Sequence, residues 1–259
     1  MKKTFIPILA ICLLLSSCIA TVPCIPTSHI PDKAHEVNVT GAIGVPRFSG
    51  NIAYNPHKNF GFVAAGNAGK ETFADFAFVG AAVENQSKWR TYIEGGVAGY
   101  YHFNDWFAMS LTPTVGQGKF FILDGAASTR RPDTLGGTEN RQSLSLSSRI
   151  KLNFDEEFGM QFRFGLKAAN STMNINAVGS TTKPLLGQSF NAVSLETMFY
   201  MDFQFRNFAM FSVIGGDLLR NSYKNETINL SRSPIYLGVG IGYTFNALKP
   251  WESKSKKKD

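Results

Sequence analysis

The side chains of this chain that could do chemistry are mostly charged residues set at every second position of apolar stretches. Arg90, Glu94, Arg149, Lys151, Arg163, Lys167, Glu196 and Asp202 all follow this rule. Period two places each group on one face of an extended strand. If those faces are enclosed, both signs must pair, because an unpaired buried charge is costly. Lys167 and Glu196 fall at similar heights on neighbouring strands and are expected to sit close together. Such a set can fill the inside of a barrel as a polar network. It can also line a narrow water-filled path, in which case five cations against three anions would favour anions.

Catalysis asks for more than charge. A nucleophile needs a base within reach. The chain has four histidines. His29 and His35 fall before the strands begin, and His57 and His102 fall beside short turns, so no Ser/His pair is placed at the outer rim. Glu156 and Glu157 read as a solvated turn. No Cys/His cluster has zinc spacing. The glycines of Gly238 to Gly242 belong to a strand rather than a phosphate loop. The expectation is a protein without catalytic residues, cofactor or metal.

The elements that position these charges come next. Charged residues make up 17% of the chain and hydrophobic ones 44%, yet no apolar run is long enough to cross a bilayer as a helix. From Glu36 to Phe245 apolar and polar residues alternate in stretches of about 9 to 15, separated by turn residues. Between Arg141 and Phe154, for example, Leu144, Leu146, Ile150 and Leu152 oppose Ser143, Ser145, Arg149 and Lys151.

Alternation alone fits a soluble lipocalin-like binding barrel as well as a membrane barrel. Three features favour the membrane. The polar faces are rich in Gly, Ser and Thr, which suits a crowded lumen. Aromatics such as Tyr101, Trp106, Phe154, Phe158 and Phe205 gather beside the short turns. Short turns near 56–59, 104–105, 155–156 and 206–207 alternate with long polar segments at 69–88, 117–140, 170–190 and 217–232. The predicted fold is all-β, an antiparallel up-and-down transmembrane β-barrel. About ten strands are expected, at 36–44, 47–55, 59–69, 88–102, 105–116, 140–154, 158–169, 190–205, 207–216 and 233–245; eight or twelve would also satisfy the pattern. Pro113 should force a bulge in the fifth strand, and 208–216 is apolar on both faces.

The first 17 residues form a signal peptide: Lys2 and Lys3, then an apolar region from Phe5 to Leu15. Leu15-Ser16-Ser17-Cys18 resembles the bacterial lipobox. That resemblance implies cleavage before Cys18 and its lipidation. Ile19 stands where Asp would mark inner-membrane retention. Residues 18–35, with Pro23, Pro26 and Pro31, are expected to be an extended tether. The net charge of +7 owes much to five lysines between Lys249 and Lys258. Residues 246–259 therefore read as a basic periplasmic tail. No basic stripe carries interleaved aromatics, so no nucleic-acid partner is expected.

The closing run from Tyr236 to Phe245 resembles the last strand of outer-membrane β-barrel proteins, which ends on an aromatic read by the barrel-assembly machinery. Tyr243 and Phe245 would be that signal, although 14 residues follow Phe245. Combined with a lipobox, the chain resembles the small barrel lipoproteins of Bacteroidetes-type bacteria. The resemblance implies a place in the bacterial outer membrane with both termini periplasmic. The partners it implies are outer-membrane lipid, the assembly machinery and an extracellular ligand or protein met by the long loops. The expected role is structural or interactive, with a narrow solute channel as the alternative.

Overall fold

The computed structural model describes residues 30–44, 47–72, 86–124, 133–154, 158–178, 185–220 and 235–248. Ten strands form one closed antiparallel barrel in which each strand pairs with its neighbours in sequence, and β1 with β10. They are β1 Glu36–Gly44, β2 Arg47–His57, β3 Phe60–Thr72, β4 Gln86–His102, β5 Phe107–Asp124, β6 Asp133–Asn153, β7 Phe158–Val178, β8 Ser189–Phe205, β9 Phe208–Arg220 and β10 Ile235–Asn246. Closure leaves no sheet edge along the barrel, so the ladder satisfies the backbone polar groups that hydrocarbon could not. β1 begins and β10 ends at the rim that carries the short turns, with Glu36 paired to Asn246.

Alternation sets the faces. Leu144 and Leu146 on β6, Phe164 on β7 and Phe199 on β8 are exposed on the outside, while Arg149, Lys167 and Glu196 are buried inside. This is the reverse of a soluble barrel, so the lipocalin-like alternative is not the arrangement found. Aromatic rings gather at the short-turn end of the outer apolar surface, where Tyr101 on β4 is exposed. Near the short turns, Tyr101 meets Phe103 at 4.7 Å between centroids, Phe154 meets Phe158 at 5.5 Å and Phe158 meets Phe205 at 5.2 Å.

Two expectations about the strands need correction, and a third is met and finds its reason. The strands β5, β6 and β7 continue well into the stretches read as the loops 117–140 and 170–190. The connections left outside the described residues are shorter, at 73–85, 125–132, 179–184 and 221–234. No bulge forms at Pro113. β4 and β5 hold the same register on both sides of it, with Gly96 opposite Thr114 and Gly99 opposite Leu111. The absent side chain of Gly96 makes this workable: a Cβ there would lie 2.0 Å from the Pro113 carbonyl oxygen. Finally, β9 is apolar on both faces because the inside is not uniformly polar. Phe211 and Val213 turn inward and pack with Met198 and Tyr200 of β8.

Candidate functional site

All eight charged residues singled out in the sequence point into the barrel. Seven are buried and Lys151 is half-buried near the short-turn rim. Two more charged side chains join them that sequence reading had left out of the set. Arg141 lies at the start of a predicted strand, and Glu139 lay inside a predicted loop.

The pairing differs from the expected one. Lys167 and Glu196 are direct register partners across β7 and β8. Yet the Lys167 ammonium crosses the barrel interior to Glu94, donating to both carboxylate oxygens at 2.7 and 2.8 Å. Glu196 receives the Arg141 guanidinium and, at 3.0 Å, the Ser194 hydroxyl. Arg90 pairs with Glu139. Tyr92 ties these together: its hydroxyl donates to Glu94 at 2.9 Å, and the Arg90 guanidinium lies 5.4 Å from its ring centroid. Lower in the barrel, Arg163 pairs with Asp202, donating from Nη2 to Oδ1 at 2.9 Å. The same guanidinium lies 4.8 Å from the Tyr200 ring centroid. Each cation has a carboxylate, as burial requires.

The side chains of Lys167, Glu94, Arg141 and Glu196 have no solvent-accessible surface. No water-sized probe reaches these four side chains, which cross the interior between β4, β6, β7 and β8. With Arg141, Glu139 and Asp32 counted, the described lumen holds six cations and five anions rather than five and three. The expected excess of two cations shrinks to one.

A second group of interior contacts lies at the short-turn rim. Residues 18–35 were expected to be an extended tether; 18–29 lie outside the described residues, but 30–35 fold into the barrel mouth. Ile30 is buried among the inward side chains Ala53, Val63, Ala98, Tyr100 and Ala108. Its carbonyl accepts from Arg149 Nη1 at 2.7 Å. The next carbonyl, of Pro31, lies 2.8 Å from His102 Nε2. Asp32 then takes Arg149 at 2.8 Å and Lys151 at 2.5 Å. β6 stands five strands from β1 in either direction round the ring. The segment is thus a strut across the diameter. At its other end His35, at φ 62°, donates from its backbone to Asn55 at 2.6 Å and accepts from Ala247 at 2.7 Å. Burial pushes the Asp32 carboxyl up, but Arg149 and Lys151 outweigh it and hold the group below its ordinary value. Three prolines had read as a linker; the signal for the strut was the Ile30-Pro31-Asp32 order, an apolar anchor followed by a carboxylate.

The third feature is an exchange of polarity near the far rim. On the outer face, one row across β5 to β8 runs Pro113, Leu144, Ala168, Leu195. Two rows higher it runs Gln117, Asn140, Thr172, Asn191, and the next is Lys119, Thr138, Asn174, Ser189. The inner face changes in the opposite sense. Above the ion pairs it carries Leu135, Met173 and Ile175, with Phe120 and Phe190 packed against them. Leu185, from the turn before β8, closes this cluster, and Gly187 at φ 79° allows its amide to reach the Ile175 carbonyl at 2.9 Å. Apolar-out, polar-in is the pattern of a wall in lipid; polar-out, apolar-in is the pattern of a wall in water.

Cys18, the predicted lipidation site, lies outside the described residues. Tyr243 and Phe245 close β10 with stacked rings 6.0 Å apart between centroids. Among the described residues no group of His, Cys, Asp and Glu is arranged to hold a metal ion.

No protein-family model matches the chain, and no curated protein matches it. Among solved structures it is similar to the translocator domain of autotransporter NalP from Neisseria meningitidis, at 12% identity and TM-score 0.46, over 81% of this chain and 86% of that one. The N-terminal β-barrel domain of Pseudomonas aeruginosa OprF matches at 13% identity and TM-score 0.30, over 82% and 98% of the two chains. Ail, the attachment invasion locus protein of Yersinia pestis, matches at 11% identity and TM-score 0.28, over 82% and 99%. These neighbours are bacterial outer-membrane β-barrels.

Proposed function

We infer that this protein is a closed barrel of the bacterial outer membrane that acts through its outward-projecting wall and loops and conducts nothing. The observation that carries this reading is the pair of opposed surfaces. Exposed Leu, Phe and Val side chains cover the outside, and ion-paired charges, four of them with no accessible side-chain surface, cross the inside. In water the outer surface would be an apolar patch far larger than soluble proteins leave exposed. In a bilayer it is the required one. The short-turn rim, with both ends of the barrel, faces the periplasm, and the taller wall faces outward.

In the same reading the chain is a lipoprotein anchored through Cys18, with 19–29 joining the acyl chains to the strut. More than one acyl chain gives durable attachment. Its partners are the surrounding lipid, the assembly machinery that handles a terminal strand ending in Tyr243 and Phe245, and a ligand met above the membrane. No catalytic step is assigned to it.

Planar-bilayer recording tests the closed barrel. The refolded full chain should give no steady single-channel steps; well-resolved steps of constant size would make it a narrow channel. Mass spectrometry of the protein from membranes tests the anchor. A diacylated or triacylated N-terminal Cys18 is expected, and an unmodified N-terminus elsewhere would contradict it.

A further inference from the structure

The two polar rows on the outer face have a definite chemistry. Gln117, Asn140 and Asn191 supply carboxamides in the lower row, with Thr172 between the last two. In the upper row, Asn174 stands between Thr138 and Ser189. Among the described side chains of these rows only Lys119 carries charge. Two bonds within the rows set the direction of the amides. Thr172 donates to Asn191 Oδ1 at 2.9 Å, and Ser189 donates to Asn174 Oδ1 at 2.7 Å. Each bond engages the amide oxygen, and the NH2 group of the same side chain carries two further donors. Above Lys119 on β5, the Phe121 ring is 41% exposed and adds one flat apolar surface.

We propose that this band is a docking surface for the uncharged, hydroxyl-rich headgroups of glycolipids in the leaflet that surrounds it. The proposal rests on the membrane reading given above. Its occupant follows from continuity. The same strand faces pass from hydrocarbon contact at Leu144 and Ala168 to the amide of Asn140 and the hydroxyl of Thr172 within two rows, so the layer beside these polar groups is the headgroup layer. The band rises about 15 Å above that boundary, the depth of a short oligosaccharide layer rather than of a single phosphate. Phosphate-rich headgroups would be matched by Arg and Lys clusters, and the rows contain one Lys. A protein partner would be matched by a central group of aromatic and Arg anchors; the two rows hold neither, and the rings of Phe121 and its register partner Trp89 stand above them at one side. Carboxamides and hydroxyls at fixed spacing suit neighbouring sugar hydroxyls, which both donate and accept. The strand ladder holds them in place, so little ordering entropy opposes binding.

The test refolds the full chain into three vesicle types: phosphatidylcholine alone, the same lipid with digalactosyldiacylglycerol, and the same lipid with an equal fraction of phosphatidylglycerol. The heat-unfolding midpoint is read from the gel mobilities of folded and unfolded forms. The digalactosyl lipid should raise the midpoint by several degrees over phosphatidylcholine and by more than the anionic lipid does. A variant carrying Asn140→Ala, Asn174→Ala and Asn191→Ala should lose at least half of that rise while inserting normally. If phosphatidylglycerol stabilises as much as the sugar lipid, or the sugar lipid has no effect, the proposal falls and the membrane reading stands. Failure of the wild-type chain to insert into any vesicle overturns the membrane reading beneath it. If the triple variant does not fold, the wild-type comparison among the three lipids still decides.

Discussion

Asp32 shows how much one carboxylate can organise at the barrel mouth. It holds Arg149 and Lys151 together, and through them fixes the strut whose apolar end is Ile30. Its folded-state acidity is strengthened, so the unfolded chain takes up the proton first as pH falls. The stabilisation it supplies is complete above the ordinary carboxylate value near 3.8 and is lost as pH drops through the lower folded value. Amide hydrogen exchange of residues 30–35 should therefore accelerate only in strong acid. Asp32→Asn should show fast exchange at neutral pH with no further acid step; an unchanged wild-type acid step in that variant would contradict the assignment. The pair between Lys167 and Glu94 belongs to a different class, because both side chains are fully buried. Glu94→Gln leaves a buried ammonium without its countercharge and should cost roughly 3–5 kcal/mol in urea unfolding from vesicles. Replacing both partners by apolar residues should cost clearly less.

At the scale of the strand, polarity exchange makes the boundary of the membrane a measurable position. Arginine at Leu144 would enter hydrocarbon and should destabilise the barrel by roughly 2–4 kcal/mol, falling towards zero nearer the interface. Arginine at Asn140, two rows higher on the same face, should be tolerated. Equal costs at the two positions, again by urea unfolding from vesicles, would remove the boundary from where the structure puts it. The same exchange explains what the sequence revealed and what it hid. The ten strands and their short turns were legible because each membrane-level stretch repeats one rule, apolar residues outward. Beyond Gln117, Gln142 and Asn170 the rule changes phase: Leu135 and Ile175 are apolar and point inward, while Asn140 and Asn174 are polar and point outward. A reading that follows apolar residues on one face ends there and names the rest a loop. Gly136 and Gly137 deepen the impression, since glycine is a weak strand former. The charged lumen set was legible by parity, but its partners were not. Lys167 spans the interior to Glu94, a contact between strands three apart that pattern along one hairpin cannot show.

Among the described residues the molecule is a tube crossed inside at two heights, by the strut at one rim and by the ion pairs above it. Its outer surface changes from apolar to amide-rich along continuous strands. Solubility, conductance and partners all follow from which medium each surface meets. Spin labels report this most directly. They would be placed one at a time at positions 146, 164 and 199 on the apolar face and at 140 and 172 on the amide face, with the native cysteines replaced, in the full chain refolded into vesicles. Labels at 146, 164 and 199 should relax with oxygen, which concentrates in hydrocarbon, and be shielded from a water-soluble nickel chelate. Labels at 140 and 172 should show the opposite order. If the nickel chelate reaches 146, 164 and 199 more readily than oxygen does, those faces lie in water and the account is wrong.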